Sequence, residues 1–208
     1  MKVFLTDRIT LEKVDEQNLE ALRNLRNDPS VNHFLASPAT VSAEEQVAWF
    51  RKTDPLRNIY FLVFVNDEPA GYCMLKHIDD SRAAEPGIIL TRRKLHYSSA
   101  GSLLTIAFLD FCHCFFGIVA FHGNVLHSNE SALKNYDWFD TVVKAEDEKQ
   151  KVLSAAMPYA EMPKVNKLRD ALRKLENYTG KFRITANEQE LQNLPQHYAC
   201  EQVSIEIS

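Results

Sequence analysis

Three stretches of the chain carry side chains whose types and spacing suit chemistry. The first is residues 92–102, where Arg92, Arg93 and Lys94 precede Ser98, Ser99, Ala100, Gly101 and Ser102 at the start of an apolar helical run. A helix N-terminus offers unpaired N–H groups and the positive end of the helix dipole, so it attracts anions. The small residues let a ligand approach the backbone. The stretch reads either as a pyrophosphate cradle or as a solvated loop feeding a core helix. The second feature is Tyr136, which suits proton donation to a leaving group in a cleft. Beside Trp138 and Phe139 it also suits a core. The third is Glu85, inside an otherwise apolar strand. An unpaired carboxylate is costly to bury, so Glu85 faces either solvent or a site that needs a base.

Other chemistries find no support. Cys112, His113 and Cys114 look like metal ligands, but adjacent helical residues point about 100° apart and do not converge on one ion. His33, His77, His122, His127 and His197 show no HExxH or finger spacing. No phosphate-binding Walker motif, GxGxxG or GxSxG occurs. A metalloenzyme, an ATPase and a serine hydrolase are therefore not expected, and no metal is expected.

The chain has 208 residues, 45% hydrophobic and 25% charged, which excludes a disordered or fibrous protein. Its net charge of −4 creates no basic field, so nucleic acid is not an expected partner. Apolar runs are broken by charge or histidine before about 18 residues, so no membrane partner is expected either. Asp7 comes too early for a signal peptide. Four cysteines are too few for a disulfide scaffold, and the expected location is the reducing cytoplasm. Only 6 glycines are present, so any phosphate cradle is built with few of them.

The elements that must position these residues follow from the pattern. Residues 3–14 read as a first strand, and Asp15 as the cap of a helix with an apolar stripe of Leu19, Leu22 and Leu25. Ser42 with Glu45 forms a capping-box pattern opening a second helix. Runs at 59–65, 70–78 and 84–91 make an antiparallel meander, followed by a loop at 92–99. Residues 100–116 form a helix apolar on nearly every side, stopped by Gly117, and 118–126 form a strand parallel to the third run. Asn129 caps a short helix ending near Tyr136. The expected fold is α/β: a mixed, mostly antiparallel sheet with a central βαβ unit flanked by helices. Residues 1–143 form the core, and 144–208 form a helical excursion with a final strand at 199–207. Within the excursion Val165, Leu168, Leu172, Leu175 and Tyr178 form an amphipathic stripe ending at Gly180, able to pack on its own domain or on a second subunit as a homodimer.

In this order the pieces resemble the GNAT superfamily of acetyl-coenzyme A-dependent N-acetyltransferases, over roughly residues 3–143. The nearer resemblance is to its branch of ribosomal-protein N-terminal and nucleotide-amino-sugar acetyltransferases. Leu25-Arg26-Asn27-Asp28-Pro29, SAEEQVAWF at 42–50, YFLVFVNDEPAGYCM at 60–74, Ala84-Glu85-Pro86-Gly87-Ile88 and NESALKNY at 129–136 carry it. The family's phosphate loop, Gln/Arg-x-x-Gly-x-Gly/Ala, corresponds to residues 96–101. His96 replaces the basic or amide residue and Ser99 the first glycine, which adds a side chain beside the phosphate. Asp137-Trp138-Phe139 stands where the family has leucine–glycine–phenylalanine.

The resemblance implies direct transfer of an acetyl group from acetyl-CoA, as co-substrate, to a primary amine. Glu85 would take the amine's proton and Tyr136 would protonate the departing thiolate. The backbone of Ile89, Leu90 and Thr91 would hold the pantetheine arm. Amides of Ser99, Ala100, Gly101 and Ser102, with His96 and Ser98, would hold the pyrophosphate, and Asn129 would help fix the arm. Arg26, Asn27, His33 and Trp49 would meet the acceptor. That acceptor is expected to be a small molecule such as a nucleotide-linked amino sugar. The alternatives are the N-terminus of a protein, or a catalytically degenerate GNAT fold used for binding or assembly.

Overall fold

A computed structural model describes every residue except 33, 34, 36–38, 97, 138–140, 196 and 199. Residues 3–14 form two strands rather than one, β1 (Lys2–Phe4) and β2 (Ile9–Lys13), paired antiparallel. The Thr6 hydroxyl accepts hydrogen bonds from the N–H groups of Arg8 and Ile9 and so closes the turn between them. Asp15 does not cap the first helix. Its carboxylate accepts from the Gln17 and Asn18 N–H groups in a turn, and α1 (Leu19–Asn27) starts after Asn18. After the short α2 (Pro29–Asn32), α3 (Ala43–Lys52) opens on the expected capping box of Ser42 and Glu45.

The meander forms as β3 (Ile59–Val65), β4 (Glu68–Lys76) and β5 (Ala83–Leu90). Gly71 in β4 is required there, because a Cβ would collide with the Ile89 backbone. The following loop contains one helical turn, α4 (Arg93–His96). Next comes α5 (Ser99–Phe116), ended by Gly117 at φ 67°. It is long and apolar enough to cross a membrane, but 67% of it is buried inside the protein. β6 (Ala120–Leu126) lies parallel to β5 and completes the βαβ unit, and α6 (Glu130–Asp137) follows.

The C-terminal third is not the helical excursion expected. β7 (Thr141–Glu146) and β8 (Gln150–Ala155) form a hairpin on β6, so the boundary after residue 143 falls inside a strand. Thr141, Val142, Val143 and Val152 are β-branched and favour that pleated pairing over a helix. A 3-10 turn, Tyr159–Glu161, leads to α7 (Pro163–Glu176), which stops at Asn177 (φ 52°) before reaching Gly180. Val165 and Leu172 of its stripe are buried, whereas Leu175 is 76% exposed. β9 (Phe182–Ala186), α8 (Glu188–Gln192) and β10 (Val203–Ile207) end the chain. The last strand lies at the sheet edge far from β6, giving the order β10-β9-β1-β2-β3-β4-β5-β6-β8-β7.

The sheet separates two apolar layers. On one face Phe61, Cys73 and Ala84 pack with Phe108, Phe111 and Phe115 of α5 and with Val165 and Leu172 of α7. On the other, Leu62 and Tyr72 pack with Val14, Leu19 and Leu22, and Phe50 of α3 adds to this layer. The C-terminal segment is tied to the first layer by a buried charge. Asp110 of α5 accepts from the hydroxyls of Tyr159 and Tyr178, each at 2.8 Å, and from the Arg169 guanidinium at 2.6 Å.

Candidate active site

Among the described residues, β5 and β6 are paired in the sheet only where they begin. Ala83 pairs with Ala120 and Ala84 with Phe121, and among the described residues no further pair joins them. The strands part beyond that point, and the next residue of β5 is Glu85. The antiparallel register sets Lys76 opposite Glu85, and the Lys76 ammonium donates to its carboxylate at 2.9 Å. His77 Nε2 is 3.8 Å from the other carboxylate oxygen. The Glu85 side chain is 14% exposed, so the carboxylate is largely desolvated yet paired.

Tyr136, on α6, reaches the same opening by lying against Gly123 of β6. Its hydroxyl lies where a Cβ on Gly123 would be, so the absent side chain of Gly123 makes room for it. Burial, and then the Glu85 charge, push the Tyr136 pKa well above the ordinary tyrosine value and keep the phenol neutral. Strand alternation puts Glu85 on the α1/α3 face and Gly123, two residues after Phe121, on the α5 face. A carboxylate and a phenol therefore stand at the same opening on opposite faces of the sheet, near enough for the Glu85 charge to act on Tyr136.

The α1/α3 face carries the residues expected to meet an acceptor. Trp49 is 37% exposed and stands edge-on to the Tyr60 ring, with centroids 4.9 Å apart. Tyr60 in turn senses the Glu85 charge. Arg26 donates to the Ala39 carbonyl at 3.2 Å. The Asn27 side-chain amide donates to the Val41 carbonyl at 2.8 Å and accepts from the Val41 N–H at 3.0 Å. Both its polar atoms thus tie α1 to the segment that leads into α3. His33 lies outside the described residues.

The cofactor-side residues divide similarly. The Thr91 N–H donates to the Ala70 carbonyl at 3.0 Å, so by alternation Ile89 and Thr91 turn their backbones towards β4. Leu90 turns its backbone towards the opening, as does Ile88, which the sequence reading did not single out. At the α5 N-terminus Ser98 is the N-cap, and its hydroxyl accepts from the Gly101 N–H at 3.2 Å. The Ser98 carbonyl accepts from the Gly101 and Ser102 N–H groups. Two of the four expected phosphate donors are therefore already engaged, and Ser99 and Ala100 are left. Ser99 begins the helix and is not among the positive-φ residues, so replacing glycine there costs no backbone strain. His96 ends α4, and its side chain lies outside the described residues. Asn129 accepts from the Ala132 N–H at 3.1 Å through Oδ1 and so caps α6. The outward-turned edge of β5 thus leads to the small-residue N-terminus of α5.

The acetyltransferase (GNAT) domain profile matches residues 8–136, and the chain belongs to that family. Solved structures agree in fold. RimL, a ribosomal L7/L12 alpha-N-protein acetyltransferase in complex with coenzyme A, is 18% identical with a TM-score of 0.63, over 77% of this chain and 100% of that one. FdhC, a nucleotide-linked sugar GNAT, is 18% identical with a TM-score of 0.62, over 83% and 95%. Spermidine N-acetyltransferase from Vibrio cholerae, in complex with CoA and spermine, is 18% identical with a TM-score of 0.61, over 76% and 99%. No curated protein matches the chain by sequence.

Lys76, Ile88 and Gly123 stand at this opening and were not singled out by the sequence. Lys76 becomes visible only once the β4–β5 register is known, and Gly123 only once Tyr136 is folded back onto β6.

Proposed function

We propose that the protein transfers an acetyl group from acetyl-CoA to a primary amine. The observation that carries this reading is the placement of Glu85 and Tyr136 at the fork between β5 and β6, where the charge of one acts on the other. The bound thioester supplies an activated acetyl group. Ile88 and Leu90 would hold the cofactor's arm by backbone hydrogen bonds, with Ser99 and Ala100 at its phosphate end. An alkylamine is mostly protonated at neutral pH and must lose a proton before it attacks. Glu85 accepts that proton, directly or through a water. Tyr136 donates a hydrogen bond to the leaving sulfur. A thiol's ordinary pKa of about 8.5 lies below that of this tyrosine, so the hydrogen bond rather than full proton transfer is the favoured form of its help.

The acceptor we propose is a small amine such as a nucleotide-linked amino sugar. The exposed Trp49 face beside Tyr60 supports this, since a flat aromatic surface suits a base or sugar ring. The test is thiol release from acetyl-CoA with nucleotide-linked amino sugars, N-terminally free peptides and polyamines. Preferred turnover of an amino sugar is expected. Preference for a peptide or a polyamine contradicts the acceptor, and no release with any amine contradicts the transfer itself.

A further inference from the structure

Among the described residues the ten-stranded sheet ends in two unpaired strands, β10 and β7, and the two edges are built differently. The β7 edge is guarded: its ladder with β8 is broken by a register shift between Val143 and Ala145, and Lys144 sits at that irregularity. Bulges and lysines are the usual devices that keep an edge from pairing with another chain. The β10 edge carries neither. Its ladder with β9 is regular from Val203 to Ile207, it contains no Lys or Pro, and its one charge, Glu206, is paired with Arg183 at 3.3 Å.

Two hydrogen bonds set the phase of this edge. The Ser208 N–H donates to the Ala186 carbonyl, and the Phe182 N–H donates to the Gln202 carbonyl. Even-numbered residues of β10 therefore turn their backbones towards β9, and Ile205 and Ile207 turn theirs outward. Their side chains lie on the face of Phe182 and Ile184 and stay 39% and 59% exposed, although that face is core elsewhere.

We propose that β10 pairs antiparallel with β10 of a second copy of this chain, about a two-fold axis at Ile205. The strand Val-Ser-Ile-Glu-Ile is self-complementary in that register. Ile205 faces its own equivalent and Val203 faces Ile207, which joins the two exposed apolar shelves. Ser204 faces Glu206, so no like charges oppose one another. The outward N–H and C=O groups of Ile205 are in phase to form a hydrogen-bonded pair. The active site lies several strands away in the sheet order and stays open in such a dimer.

Sedimentation velocity of the full chain across the micromolar range tests this, with acetyl transfer as a parallel readout. The wild type is expected at twice the 23.8 kDa chain mass. Ile205→Pro removes only an outward-facing N–H and is expected to give the monomer with its activity retained. Ile205→Lys is expected to do the same, and carries the comparison if the proline variant melts early. Val143→Lys, on the guarded edge, is expected to leave the dimer intact. A wild type that is monomeric throughout, a dimer that survives both Ile205 variants, or one that Val143→Lys dissolves would overturn the proposal.

Discussion

The hydroxyl of Tyr136 occupies the space that a side chain on Gly123 would fill. The glycine is thus part of the site although it has no side chain to contribute. Gly123→Ala forces the phenol away from the fork while leaving the β6 backbone in an ordinary strand conformation. Turnover is expected to fall at least about tenfold, with little change in acetyl-CoA affinity, in steady-state kinetics beside calorimetry. Unchanged turnover would detach Tyr136 from the reaction.

Glu85→Gln keeps the shape and removes the base. Because general-base catalysis contributes about 10²–10⁴-fold, a loss in that range is expected in kcat, and a higher pH should recover part of it by deprotonating the free amine. Tyr136→Phe is expected to lower kcat with little effect on cofactor binding. Equal activity in that variant would remove the phenol from its role.

Ser98 competes with any phosphate for the Gly101 N–H. Ser98→Ala should lower the melting temperature of the apo protein, through loss of a cap worth about 1 kcal/mol. It should also enlarge the upward shift that coenzyme A produces. A shift equal to that of the wild type would mean that the Gly101 N–H does not contact the ligand.

Asp110 is the buried partner of Arg169, Tyr159 and Tyr178. Asp110→Ala leaves the guanidinium largely buried and unpaired, a change that typically costs about 3–5 kcal/mol. Denaturant unfolding should show a loss of that order, and Tyr178→Phe a smaller one.

Tyr60 and Tyr72 respond to alkali. Burial, with the neighbouring Tyr72 and Glu85 charges for Tyr60, raises each of their pKa values to about 12. In the unfolded chain both titrate near 10, so the fold holds their protons more tightly. Their contribution is fully present below pH 10 and is lost as pH rises from about 10 towards 12, on the order of 2 kcal/mol each. Thermal melts through that window should fall less steeply in Tyr60→Phe.

Most of the first two thirds of the fold was legible in the sequence. Strong local signals governed it: the Ser42–Glu45 capping box, the β-rich runs around a turn, and Gly117 after an all-apolar helix. In the C-terminal third the helical stripe of α7 and the last strand were legible, but β7 and β8 were not, because their charged residues mask short strands whose pairing with β6 is a long-range contact. The site was legible only as residue types. That Asn27 holds Val41, or that Ile89 and Thr91 face β4 while Ile88 and Leu90 face the opening, depends on register and tertiary packing. No local pattern encodes either.

Calorimetric titration of acetyl-CoA into the full chain tests the central claim most directly. Binding at micromolar to high-micromolar concentration, weakened by bulk introduced at Ala100, is the predicted result. No heat and no thermal stabilisation at high-micromolar acetyl-CoA would contradict it.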